Sequence, residues 1–155
     1  MTVTTSSEHI AHPTELAVQR IVVFFETLQP SSVQGMGDFY AADAYFKDPF
    51  NEVRGLLDIQ HIFSHMYVAL DKPHFVVTDR VVQGSQCFLV WDFKFHFKRF
   101  DTTALQTVHG TSHLRFAPDG RVIYHRDYWD AAEELYEKLP LVGSLMRWLK
   151  KRANS

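Results

Sequence analysis

The chain has 155 residues, 46% hydrophobic and 14% aromatic with 13 Phe, enough for one core and contrary to disorder. A formal net charge of -2 leaves no electrostatic footprint for nucleic acid, and a single cysteine excludes an internal disulfide or a cysteine-only metal site. No stretch reaches the ~20 apolar residues of a membrane span, and the polar tail 1–12 lacks a signal peptide's apolar centre, so a cytoplasmic protein is expected.

Pro13 suits the first turn of a helix. Leu16, Ile21, Phe24, Phe25 and Leu28 then recur at helical spacing, and Pro30 follows the end. Residues 32–40 read as a second, short helix. The segment 40–51 places Asp48 before Pro49, between Phe46 and Phe50. A residue before proline is driven to extended backbone. A carboxylate held there among aromatic rings is a candidate proton acceptor, because apolar surroundings raise its basicity. Asp-Pro is also ordinary turn chemistry, so capping a turn or the following helix suits Asp48 as well.

Leu56, Ile59, Ile62, Phe63, Met66 and Leu70 define a third amphipathic helix, ended before Pro73. The pattern then changes to period two. Residues 75–82 and 88–97 read as strands; in the second, Trp91, Phe93, Phe95 and Phe97 share one face and Asp92, Lys94 and His96 the other. Cys87 reads as a small buried apolar residue. A third strand, 107–116, is joined through Pro118-Asp119-Gly120 to a fourth, 121–129. Asp130 and Glu133 form a capping-box pattern for a further helix, which Pro140 separates from a last one over 141–151. Helices first and antiparallel strands later predict one α+β domain over 13–152, with a helical extension from 130.

The order of these pieces resembles the nuclear transport factor 2-like superfamily, in its SnoaL-like and ketosteroid isomerase-like branch. The matching residues are Tyr40 to Asn51, Arg54-Gly55 to Ile59, Arg115-Phe116 to Val122, and Tyr128-Trp129, within about 14–130. The resemblance implies a cone: a bent antiparallel sheet wrapped on three helices, a ligand cavity at its wide end, and a homodimer through the outer sheet face. It places Asp48 on the proton-shuttling aspartate of the ketosteroid isomerases. Their enolate donors fall on Phe24 and Ser112, and the supporting tyrosine on Phe63. Phenylalanine donates no hydrogen bond, and each lost donor costs on the order of 10²–10³ in rate. A true ketosteroid isomerase is therefore not expected.

Strand periodicity supplies other polar groups. Ile123, His125, Asp127 and Trp129 share one face, opposite Tyr124, Arg126 and Tyr128. The resemblance turns the Trp129 face, with Gly110, Ser112, Leu114 and Phe116, into the pocket. Asp48, His125, Asp127 and Ser112 would then converge among Tyr40, Phe24, Phe63, Trp91, Phe93, Phe95 and Trp129, around a small apolar or ring-bearing molecule. Proton transfer of isomerase, cyclase or dehydratase type would use Asp48 as base and His125 or Asp127 as acid or oxyanion donor. Alternatively His125 and Asp127 satisfy each other, or cap the Asp130 helix, and the chain is a non-catalytic binding or dimerisation module.

No cofactor or metal is expected. His61 and His65 have ligand spacing but lie opposite the apolar stripe of their helix. Gly35-Met36-Gly37 lacks the lysine and serine of a phosphate loop, and no Ser-His-Asp or Cys-His arrangement has the right context. His96, His109 and His113 face outward, where Asp92, Arg115 and Arg126 offer cross-strand ion pairs. The last helix is apolar along Leu141, Leu145, Trp148 and Leu149, and basic at Lys150, Lys151 and Arg152. It suits a packed brace across the cone, or weak contact with an anionic membrane.

Overall fold

The computed structural model describes residues 12–99, 101–138 and 140–153; the expected tail, apart from His12, lies outside them. Helix α1, Pro13–Glu26, opens on a reciprocal cap: His12 Nδ1 accepts from the Thr14 N–H and Glu15 accepts from the His12 N–H. A 3-10 helix follows over Pro30–Asp38, two residues short of the expected second helix, because Tyr40 opens a strand. Strands β1, Tyr40–Lys47, and β2, Glu52–Arg54, precede helix α2, Leu56–Ala69. Strands β3, Leu70–Gln83, β4, Gln86–Phe97, β5, Gln106–Phe116, and β6, Val122–Tyr128, complete the sheet. A short helix α3, Ala131–Glu134, a 3-10 turn, Tyr136–Lys138, and helix α4, Pro140–Ala153, end the chain. Asp130 caps α3 as expected, accepting from the N–H groups of Ala132 and Glu133.

The sheet order is β2-β1-β6-β5-β4-β3. All pairings are antiparallel except β1 with β6, which is parallel, so the sheet is mixed rather than purely antiparallel. Strands β1 and β2 were not legible in the sequence. A register shift between Tyr40 and Tyr45 breaks the period-two pattern of β1. Burial there runs Tyr40, Ala44, Phe46 rather than every second residue.

A second shift corrects the expected face of Ile123. Arg115 pairs with Tyr124 but Phe116 pairs with Val122, leaving Ile123 as an extra residue. Val122 is fully buried and Ile123 is 40% exposed. Gly120 (φ 85°) allows the turn between β5 and β6, where Asp119 accepts from the Arg121 N–H.

Helices α1 and α2 cover the inner sheet face. Val18, Ile21, Phe24 and Phe25 from α1 and Ile59 and Phe63 from α2 join Phe46, Leu89, Trp91, Leu114 and Phe116 in one core. Phe24 stacks on Phe39 at 4.3 Å between ring centres. Cys87 is fully buried, which pushes its thiol up to about 12; it is no nucleophile near neutral pH.

On the outer face His109 meets Asp92 at 2.6 Å. His113, on the outer face as expected, is covered by its neighbours: it stacks on Phe88 at 4.4 Å and donates Nε2–H to Gln86 at 2.9 Å. Burial first, and the Arg115 charge second, lower its pKa below the usual 6.5. The unfolded chain therefore takes up a proton at His113 before the folded one does. This contribution to stability is complete above about pH 6.5 and is lost as pH falls through the lower folded value. Thermal unfolding between about pH 7.5 and 5.5 should show this loss, and His113→Asn should flatten the curve over that interval. An unchanged slope in the variant would remove His113 as its source.

Candidate functional site

The inner face of the sheet gathers one hydrogen-bonded chain from four strands. Ser112 on β5 lies directly across from Asp127 on β6, and Leu114 across from His125. Parallel pairing of β1 with β6 sets Phe46 beside His125. Trp91 on β4 faces Gly110, where any Cβ would collide with the indole ring. The ring passes over that glycine to reach Ser112.

The carboxylate of Asp127 can only accept, which orients everything attached to it. Ser112 donates its hydroxyl to Asp127 Oδ1 at 2.5 Å, and His125 Nε2–H donates to the same oxygen at 2.7 Å. Trp91 Nε1–H donates to Ser112 Oγ at 2.8 Å. For a neutral imidazole, His125 Nδ1 is then an acceptor, and the Tyr40 hydroxyl donates to it at 2.7 Å. Tyr40 is fully buried; burial first, and the Asp127 charge second, hold its phenol well above the ordinary value, so it keeps its proton. Phe46 and Phe25 enclose His125 edge-on at 4.7 and 5.7 Å. Each buried polar atom named here has a partner, as a water-poor interior requires.

A cavity of about 310 Å³ lies against this chain, within the range of small-molecule sites. Phe46, Phe63, Trp91, Phe93, Phe95 and Trp129 form much of its wall, and Asp48 and Asp127 supply carboxylates. An outer cleft of about 470 Å³ is lined by Lys47, Asp48, Arg126, Asp127 and Trp129. Asp48 and Asp127 thus stand where the cleft and the inner cavity meet. Both hydrogen bonds to Asp127 reach Oδ1, and among the described residues none reaches Oδ2.

Asp48 lines the cavity, but its carboxylate also holds the turn after β1. Its Oδ1 accepts from the N–H groups of Phe50 and Asn51 at 2.8 and 2.7 Å. The Asn51 side-chain amide donates to both of its oxygens at 3.0 Å. Phe50, expected to shield it, is 53% exposed and packs edge-on against Trp129. The expected aromatic enclosure is therefore one-sided.

The sequence-predicted lining residues separate into two groups. Phe63, Trp91, Phe93, Phe95 and Trp129 reach the cavity. Ser112 and His125 border a void of about 20 Å³ with Asp127. Tyr40 sits behind His125 rather than on the cavity wall. Phe24 is packed into the core against Phe25 and Phe39. Sequence reasoning missed Asn51, Ile62, Met66 and Leu135 and set His65 on the face of α2 away from the apolar stripe, yet all five line the cavity. The signal for Ile62 and Met66 was present: with Ile59 and Phe63 they make an apolar stripe on α2 wider than core contact demands. Among the described residues no group of three His, Cys, Asp or Glu is placed to hold a metal ion.

The family model for the SnoaL-like domain matches residues 21–125, over half of the chain. The chain belongs to the SnoaL-like domain family. Solved structures share the fold of this SnoaL-like protein at low identity. A ketosteroid isomerase-like protein from Catenulispora acidiphila DSM 44928, in complex with trimethylamine, has a TM-score of 0.65 and 16% identity over 77% of this chain and 88% of that one. An NTF2-like protein from Burkholderia pseudomallei K96243 has a TM-score of 0.67 and 14% identity over 79% and 95%. A protein from Jannaschia sp. CCS1, provisionally named a SnoaL-like polyketide cyclase, has a TM-score of 0.66 and 14% identity over 83% and 92%. No curated protein matches the SnoaL-like chain in sequence.

Proposed function

We propose that this chain binds a small ring-bearing apolar molecule in the inner cavity and moves a proton on it, in chemistry of the isomerase, cyclase or dehydratase type. One observation carries the reading: Asp127 lines the cavity, Ser112 and His125 both donate to its Oδ1, and among the described residues no hydrogen bond reaches Oδ2. A carboxylate fixed on one side and open on the other suits acid–base work on a bound ligand. The sequence favours Asp48 as base. Its commitment to the Asn51 turn moves that role to Asp127 and leaves Asp48 as a second polar group at the entrance. Steroid isomerisation is disfavoured, since Phe24 and Phe63 carry no donor and the Ser112 hydroxyl goes to Asp127. The provisional cyclase name of the Jannaschia protein agrees with a ring-bearing substrate.

Saturation-transfer NMR with 2-tetralone, a compact ring ketone, tests the binding claim. Wild type should take up the ring, and Met66→Trp, which fills the cavity wall, should not. Equal signals from both proteins would place the ligand elsewhere.

A non-catalytic module remains the second reading. It is favoured by the complete satisfaction of both His125 nitrogens within the protein. We also propose a homodimer through the outer sheet face, where Phe88, Val90 and Tyr128 are 39%, 40% and 47% exposed. Light scattering should give twice the chain mass, and Val90→Lys should halve it; a monomeric wild type would end this proposal.

A further inference from the structure

Helix α4 carries an apolar stripe that the domain leaves uncovered. Val142, Leu145, Trp148 and Leu149 are 41%, 55%, 53% and 44% exposed, at three- and four-residue spacing. The helix is fastened by its other side. Arg147 donates to the Glu137 carbonyl at 2.9 Å, and a Cβ on Gly143 would strike the same peptide group. At 3.6 residues per turn, Gly143 and Arg147 lie opposite the stripe. Of the stripe expected to pack as a brace, Leu145, Trp148 and Leu149 are thus half-exposed, and the Leu141 side chain lies outside the described ones.

The charge of α4 indicates what would cover the stripe. Residues 140–153 contain Arg147, Lys150, Lys151 and Arg152 and no Asp or Glu, in a chain whose formal net charge is -2. The Arg152 guanidinium lies 5.3 Å over the Trp148 ring, a cation beside an aromatic that favours the headgroup level of a bilayer. Since 140–153 holds no Asp or Glu, a second copy of this helix packed parallel would set like charges against each other, and one packed antiparallel would leave them without counter-charge. An anionic surface complements them.

We propose that α4 is an interfacial helix that docks the protein on anionic lipid, its apolar stripe lying in the boundary between headgroups and acyl chains. Leu135 lines the inner cavity and precedes the turn that carries α4, so docking would bring the cavity region near the lipid surface.

Co-sedimentation of the full chain with vesicles tests this. Phosphatidylcholine vesicles containing about a quarter phosphatidylserine should bind the protein, and pure phosphatidylcholine should not. About 1 M salt should release it, because the screening length falls to about 3 Å. A basic side chain near an anionic surface contributes roughly fivefold, so Arg152→Gln, which removes the cation over Trp148, should weaken partitioning by about fivefold. Leu145→Gln with Trp148→Gln should abolish it, whereas Trp148→Phe should retain it. A thermal midpoint equal to wild type checks that each variant is folded. Equal binding to both vesicle types, or no binding at all, overturns the proposal. So would a concentration-dependent dimer that only the Leu145 and Trp148 changes dissolve, since a second copy would then cover the stripe.

Discussion

Asp127→Asn should slow α-hydrogen exchange of 2-tetralone in deuterated water by roughly 10²–10⁴-fold relative to the wild-type protein, the usual contribution of a positioned acid–base group. On the proposed reading, the wild-type carboxylate would take the α-proton at Oδ2, exchange it with solvent, and return a deuteron to the enolate. Asparagine keeps a carbonyl oxygen for the Ser112 and His125 donors, so the network survives while the proton acceptor is lost. NMR of the exchanging position gives the rate, and saturation transfer in the same sample shows whether the ring still binds. Asp48→Asn should change exchange far less, because that side chain is occupied by the Phe50 and Asn51 donors. Loss of exchange in the Asp48 variant with retention in the Asp127 variant would restore the base to Asp48. Retention in both would leave the non-catalytic module.

His125→Ala should lower stability by about 3–5 kcal/mol, read as a fall of roughly 6–20 °C in Tm. The imidazole is 2% exposed and sits among Phe25, Tyr40 and Phe46, so its removal opens a void in packed aromatic surroundings. It also leaves the buried Tyr40 hydroxyl without its acceptor and Asp127 without one of its two donors. Tyr40→Phe provides the graded control: one donor is lost with no comparable void, which should cost about 1–3 kcal/mol. A His125→Ala midpoint within a degree or two of Tyr40→Phe would show that the imidazole contributes little beyond that one bond.

Much of the architecture was legible because it rests on periodicity. The spacing of Ile21, Phe24 and Phe25, or of Ile59 and Phe63, marks faces that must be buried whatever the partners are. The alternation that ends in Trp91, Phe93 and Phe95 marks one sheet face in the same way. Strand β1 escaped this reading because its register shift gives it no regular period, and β6 was misread at Ile123 for the same reason. A bulge is a choice between two pairings, and the energy that makes the choice comes from the partner strand.

The site divides along the same line. Residue types and their local context mark the side chains that could do chemistry here. Asp48 stands out by its place before Pro49 among aromatic residues, His125 and Asp127 by their separation of two along one strand, and the family resemblance turns their face and Ser112 toward the pocket. Packing sets what each of them touches. The cross-strand register places Ser112 against Asp127 and the parallel neighbour brings Tyr40 to His125, whereas Asn51, three residues from Asp48, closes the local turn that Asp-Pro already suggests. Hydrogen-bond donors compete for a carboxylate over distances of about 3 Å, and contacts that short between residues 15 or 85 positions apart are set by packing.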